Sequence, residues 1–128
     1  MADIATKVID ASALLALLFA EAQGSTVADQ IRGHELVAPA LLDFEIVNVC
    51  LSKIRRLPDR HEALLDAFAG RRQLKIETTE VDHAAVLALA RNTGLTGYDA
   101  SYPYLARTLK IELVTLDRQL AEAAEKFQ

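Results

Sequence analysis

Cysteine, tryptophan, proline and glycine are all scarce in this 128-residue chain. The single cysteine, Cys50, excludes an intrachain disulfide and any cysteine-based metal cluster. Three histidines, His34, His61 and His83, lie too far apart for zinc-site spacing. Gly24, Gly33, Gly70, Gly94 and Gly97 make no phosphate-cradling run, which sets aside a dinucleotide-binding domain. A long greasy segment is also missing. The longest, Val8 to Ala20, carries Asp10 and Ser12 and is too short to cross a bilayer. It lacks the basic leader and cleavage site of a signal peptide. The expectation is a protein without membrane attachment, in a reducing, cytoplasmic setting. Basic residues are outnumbered too: 14 against 18 acids, a net charge of −4. That balance argues against a general nucleic-acid coat, which needs a basic face. It leaves open an enzyme that handles phosphate through metal ions.

What is present suits a packed core. Apolar residues make up 52% and charged residues 25%. The length predicts a single domain over residues 1–128. Strand and helix patterns alternate along it. Lys7 to Asp10 reads as a strand, and Ser12 can cap a greasy helix running to about Ala22. Ser25 to Arg32 is a second short helix. Glu35 to Ala38 is a strand stopped by Pro39, and a long helix follows from about Ala40 to Arg56. Asp59 is placed to cap the next helix, which Gly70 stops. Leu74 to Glu77 alternates as a strand does. Thr79 with Asp82 resembles a capping box for the helix beyond. Thr96-Gly97 reads as a turn before a helix from Tyr98 to Thr108, which Pro103 should bend or delay. A strand over Ile111 to Thr115 and a terminal helix from Asp117 to Phe127 complete the chain. This alternation predicts a small, mostly parallel four-stranded sheet covered on both faces, a three-layer α/β/α domain.

In such folds, sites form beyond the carboxyl ends of the strands, near the switch in strand order. Asp10 ends the first strand, and Asp117 lies just past the last. Glu45 is early in the helix after the second strand, and Asp99 is early in another helix. Asp10 and Glu45 sit in apolar surroundings with no lysine or arginine adjacent in sequence. A carboxylate there is costly unless paired or metal-bound. The plain alternative is capping, since Asp10, Ser12 or Asp99 could satisfy free helix N–H groups. Oxygen-only ligands favour Mg²⁺ or Mn²⁺ over zinc. Such a site suits metal-assisted phosphodiester hydrolysis.

The residues then resemble a known family. Val8-Ile9-Asp10-Ala11-Ser12 looks like the first motif of PIN-domain proteins of the VapC toxin type. Glu45, within Leu42 to Asn48, is similar to their helix acid, with Asp43 as the nearby competitor. Leu95 to Tyr102 resembles the third motif, with Asp99 as its acid. Leu113 to Asp117 resembles the last, with Thr115 and Asp117. The similarity extends over essentially the whole chain. It implies a PIN-like fold and a Mg²⁺-dependent endoribonuclease, with Mn²⁺ as the alternative ion. It also implies a toxin partnered by a small antitoxin protein, acting on RNA as a homodimer. On this resemblance Asp10, Glu45, Asp99 and Asp117 hold the metal, and Ser12 and Thr115 support it. Pro103 departs from the usual uninterrupted helix. A further departure is that no additional strand follows the last helix.

Other features bear on partners. Half the basic residues lie between Lys53 and Lys75, a span of net charge +4. It reads as a rim for an RNA backbone, as a dock for an acidic antitoxin segment, or as a solvated helix hairpin. The leucine-rich helix from Leu14 to Phe19 exceeds what one short helix needs to bury, and reads either as a homodimer or antitoxin groove formed together with the next two helices or as simple core packing. Tyr98, Tyr102 and Tyr104 are candidates for stacking on bases or for packing. Cys50 reads as a small buried hydrophobe. Two other functions compete with the nuclease. One is a non-catalytic RNA- or phosphate-binding regulatory module. The other is a receiver- or phosphatase-like domain, for which Lys110 is poorly placed.

Overall fold

A computed structural model describes residues 5–126. Its centre is a four-stranded sheet in the order β3-β2-β1-β4, with every neighbouring pair parallel. The strands are β1 (Thr6–Ile9), β2 (Glu35–Pro39), β3 (Glu77–Thr79) and β4 (Leu113–Val114). Parallel neighbours cannot be joined by hairpins, so each connection is a helical crossover. The helices are α1 (Ala11–Leu18), α2 (Gly24–Ile31), α3 (Leu42–Arg56), α4 (His61–Ala69), α5 (His83–Thr93), α6 (Gly97–Leu109) and α7 (Arg118–Lys126).

Burial along the strands shows that the sheet is covered on both sides. Val8 and Ile9 are adjacent, so they point to opposite faces. Both are fully buried, as are Ala38 and Pro39. This is the α/β/α layering that the alternation predicts. The core gathers Val8, Ile9, Leu14, Val27, Leu36, Leu42, Ile46, Tyr102, Leu105 and Val114. A smaller cluster of Val86, Leu89 and Ala100 joins α5 to α6. Helix α6 lies across β1, β2 and β4, between α5 and α7.

Several local expectations are corrected. Asp10, not Ser12, caps α1: its carboxylate accepts from the Ala13 N–H at 2.9 Å. Helix α1 stops at Leu18, with Ala20 in the left-handed region (φ +50°), rather than running to Ala22. Gly24 opens α2, one residue before the expected start at Ser25. Its lack of a side chain is required, because a Cβ there would stand 2.7 Å from the Ala16 carbonyl oxygen. The third strand is Glu77–Thr79, later than Leu74 to Glu77. Residues 70–74 wind into a 3₁₀ turn that ends at Lys75 with φ +52°. Asp59 sits in a 3₁₀ turn and caps nothing, since α4 starts without a side-chain cap. Asp82 rather than Thr79 caps α5, accepting from Ala85 N–H at 3.1 Å. The last strand shortens to Leu113–Val114. Thr96 caps α6, accepting from Asp99 N–H, and helix α6 continues through Pro103. Phe127, where the last helix was expected to end, lies outside the described residues.

Candidate active site

Strand order determines where a site can form. The chain leaves β1 for β2 and β3 on one side, then returns to place β4 on the other. The crevice at this switch opens beyond the carboxyl ends of β1 and β4. The register pairs Val8 with Leu113 and Ile9 with Val114, and the next step brings Asp10 beside Thr115. The Asp10 N–H reaches the Val114 carbonyl at 3.2 Å, so pairing extends to the end of β1.

Asp10 is 2% exposed and is the only charged residue buried to this degree among the described residues. Both of its oxygens are held. Ser12 donates to the carboxylate at 2.8 and 3.0 Å, Thr115 donates to Oδ2, and the Ala13 N–H donates to Oδ1. The hydroxyls are themselves oriented from behind. Leu116 N–H donates to Ser12 Oγ at 2.9 Å, and Asp117 N–H donates to Thr115 Oγ1 at 3.0 Å. Each hydroxyl therefore accepts from backbone and passes its own proton toward Asp10. Asp117 caps the last helix, accepting from Gln119 and Leu120 N–H groups at 2.8 and 3.2 Å. Both bonds fall on Oδ1, so the cap uses one carboxylate oxygen of Asp117.

Glu45 reaches the same region from the first turns of α3 and is half-buried. Its Oε1 accepts a hydrogen bond from the Tyr102 hydroxyl on α6. Asp99 is one turn earlier on α6, also partly buried.

The charges on these residues act on one another. Burial pushes the Asp10 carboxyl above its usual range. Hydrogen bonds from Thr115, Ala13 and Ser12 oppose that push, and the Asp117 charge adds to it. Burial likewise raises Glu45, against the Tyr102 hydrogen bond and with the charges of Asp99 and Asp10. Burial, followed by the bond to Glu45, drives the Tyr102 hydroxyl far above the ordinary phenol range. A chain of repulsion thus runs Asp117–Asp10–Glu45–Asp99. The ion pairs among the described residues join Lys7 to Glu112, Arg32 to Asp29, Lys53 to Glu21 and Arg71 to Asp43. None of these acids is one of the four.

Asp43 is separated from the four by its partner. Arg71 grips it at 2.8 and 3.3 Å and also donates to the Ile76 carbonyl at 3.3 Å. A carboxylate already neutralised in a bidentate pair is a poor metal ligand. Between the two candidate acids of this segment, Glu45 alone faces other carboxylates.

Among the described residues, no three His, Cys, Asp or Glu side chains stand as a group placed to hold a metal ion. The four carboxylates form an open, mutually repelling set. Its donor chemistry fits a hard divalent cation: carboxylate and hydroxyl oxygens, with none of the four acids in the ion pairs found among the described residues. A cleft of about 850 Å³ lies elsewhere, between α5 and α6, lined by Leu89, Asn92, Tyr104, Arg107 and Lys110 among others. It contains no acid and is not the carboxylate site.

Sequence reasoning missed two residues. Tyr102, read as a residue for base stacking or for packing, packs: it is 1% exposed, and its hydroxyl donates to Glu45. The clue was its spacing of three from Asp99, which puts both on one helix face. Arg71 was one of seven basic residues in a charged span, and nothing in sequence linked it to Asp43. Of the tyrosines, Tyr98 is the exposed one (69%), while Tyr104 packs beside the smaller cluster. In the basic span, Lys53 pairs with Glu21 and lies 5.0 Å from the Phe19 ring centroid. Arg55, Arg56, Arg60, Arg72 and Lys75 remain exposed. Cys50 is buried, its thiol 3.8 Å from the Leu64 carbonyl. No helix among the described residues is long and apolar enough to cross a membrane.

Comparison with known proteins agrees with this architecture. The profile of the PIN domain matches residues 7–126. The chain is 36% identical over 124 residues to ribonuclease VapC9 of Mycobacterium tuberculosis, covering 92% of this chain and 91% of that protein. It is 34% identical over 120 residues to ribonuclease VapC3 of Pyrobaculum aerophilum, covering 90% and 92%. The crystal structure of PAE2754 from Pyrobaculum aerophilum superposes with a TM-score of 0.67 at 27% identity, over 96% of this chain and 89% of that one.

Proposed function

The chain belongs to the PIN-domain family, and on that premise we propose that it is the toxin of a toxin–antitoxin pair, a Mg²⁺- or Mn²⁺-dependent endoribonuclease. The observation that supports the proposal is that the charges of Asp117, Asp10, Glu45 and Asp99 act on one another near the switch between β1 and β4, and that none of the four is in the ion pairs found among the described residues. The relatives named ribonuclease support RNA as the substrate.

On this reading the four carboxylates hold the ion or ions. Asp10 is the fixed member, its oxygens aimed by Ser12, Thr115 and the α1 N-terminus. Glu45 and Asp99 come from two different helices and set the far side. Asp117, half-buried and within the field of Asp10, would contribute to a second ion or orient the attacking water. A bound divalent cation would polarise the phosphoryl group and make its bound water more acidic. The protein supplies the geometry and keeps its own cations away. The exposed basic residues from Arg55 to Lys75 would meet the RNA backbone, which explains how a chain of net charge −4 handles a polyanion. Residues 1–128 act as a single cytoplasmic domain, paired as a homodimer and inhibited by a small antitoxin.

The test is cleavage of structured and unstructured RNAs with Mg²⁺, with Mn²⁺ and with EDTA, comparing wild type with D10N and D99N. Cleavage is expected only with metal and only in the wild type. Metal-independent cleavage, or full activity in both variants, would sink the mechanism. RNA binding without cleavage under every metal would favour the non-catalytic regulatory module.

A further inference from the structure

Tyr102 connects the core to the carboxylates. It follows Asp99 by three residues on α6, so the two share one face of that helix. Its ring is buried in the main core cluster with Leu42 and Ile46. Those two residues flank Glu45 on α3, so one packed group holds both the phenol ring and the backbone around Glu45. The phenol hydroxyl emerges where the core gives way to the carboxylates and donates to Glu45 Oε1.

The bond runs from the phenol to the carboxylate. A tyrosine has one proton to give, and an ionised carboxylate only accepts. A buried tyrosine commonly satisfies its hydroxyl somewhere. Here the acceptor is a half-buried carboxylate 57 residues away on another helix. The bond joins α6 and α3, the two helices that carry Asp99 and Glu45. It also occupies one Glu45 oxygen and, among the described residues, leaves Oε2 without a hydrogen-bond donor.

We propose that Tyr102 is a positioning residue for the carboxylate site, holding Glu45 Oε1 so that Oε2 is the oxygen presented to a divalent cation. The proposal rests on reading the four carboxylates as a metal centre. Partners that orient metal-binding carboxylates are worth roughly 10- to 100-fold in metal affinity or activity. Tyr104 is the natural control, because it packs beside the smaller cluster of α5 and α6.

Mn²⁺ binding to the full chain without RNA, titrated by electron paramagnetic resonance, tests this directly. The set is wild type, Y102F, E45Q, the double variant Y102F/E45Q, and Y104F, each also melted in EDTA. Y102F keeps the ring and should melt within a few degrees of wild type. It should bind Mn²⁺ roughly tenfold more weakly or worse. The double variant should bind no worse than E45Q alone, and Y104F should match wild type. A hydroxyl that serves packing alone would leave Mn²⁺ affinity unchanged in Y102F, or give a loss that adds in full to E45Q. Either result overturns the role of Tyr102 and leaves the metal centre standing. A folded wild type that binds no Mn²⁺ overturns the metal centre, and the role of Tyr102 with it.

Discussion

Replacing Asp10 with asparagine separates the structural duties of this residue from its charge. If the amide oxygen takes the place of Oδ1, the Ala13 N–H and the Ser12 hydroxyl keep their acceptor. The amide nitrogen then replaces Oδ2, and Thr115 must turn its proton away. Ser12 Oγ, 3.4 Å from Thr115 Oγ1, is the nearest alternative acceptor. The substitution therefore sacrifices about one hydrogen bond, worth roughly 1 kcal/mol. It also removes a buried negative charge and its repulsion with Asp117, which acts in the opposite direction. Without metal, D10N should stay within about 1 kcal/mol of wild type. With metal the two should diverge. At 100 times the dissociation constant, a bound ion stabilises wild type by about 2.7 kcal/mol. An unfolding entropy of about 2.1 cal/mol/K per residue over 128 residues converts this to a rise of roughly 10 °C. If losing the charge weakens binding about 100-fold, the same metal concentration yields only ~0.4 kcal/mol, or roughly 1.5 °C. The assay is thermal melting in EDTA and across a Mn²⁺ titration. Equal metal-induced shifts in wild type and D10N would refute Asp10 as a ligand.

The remaining expectations concern other elements of the site and fold. Asp10 and Glu45 are both raised, so their neutral forms suit the folded state better. Their contribution to stability is present below roughly pH 4 and is lost as pH rises through the raised values. In EDTA, wild type should lose stability relative to D10N/E45Q as pH climbs from about 4 toward 7; parallel denaturant midpoints would contradict this. D43N should keep RNA cleavage, while E45Q should lose it by about 100-fold or more; the reverse order in a kinetic assay would reassign the helix acid. R71A should cost about 1 kcal/mol at most, since its partner is half-exposed, read as a shift in urea midpoint. G24A drives a Cβ to 2.7 Å from the Ala16 carbonyl oxygen and should cost about 1–3 kcal/mol, read by thermal melting.

Several features of the site were legible along the chain. Asp10 and Asp117 follow short apolar strands, and residues just past parallel strands converge on one edge. Glu45 stood out because a charge between Phe44 and Ile46 needs a reason. Other features were illegible for physical reasons. Asp43 and Glu45 are chemically alike and two residues apart; only Arg71, 28 residues from Asp43, distinguishes them. The slip of β3 from Leu74 to Glu77 arose because only Leu74 to Glu77 alternates, whereas Glu77-Thr78-Thr79 is polar and exposed throughout; the 3₁₀ turn over residues 70–74 and the left-handed Lys75 take the earlier segment out of extended backbone. The parallel register, with Val37 against Glu77 and Pro39 against Thr79, chose the later one. Ser12 and Asp10 both qualify as caps by type. The cap position fell to Asp10, whose backbone is extended and whose carboxylate reaches the Ala13 N–H.

The sequence by itself determined the layering, the alternation of elements and the short roster of acids. Those follow from local periodicity and from the cost of placing charge among apolar neighbours, which act over a few residues. Only the tertiary structure decided which acids share a field, which one is neutralised, and that a buried tyrosine holds the helix acid. These depend on residues brought together across 28 to 105 positions of chain. Contacts at that distance are set by strand order and register, and no local pattern encodes them.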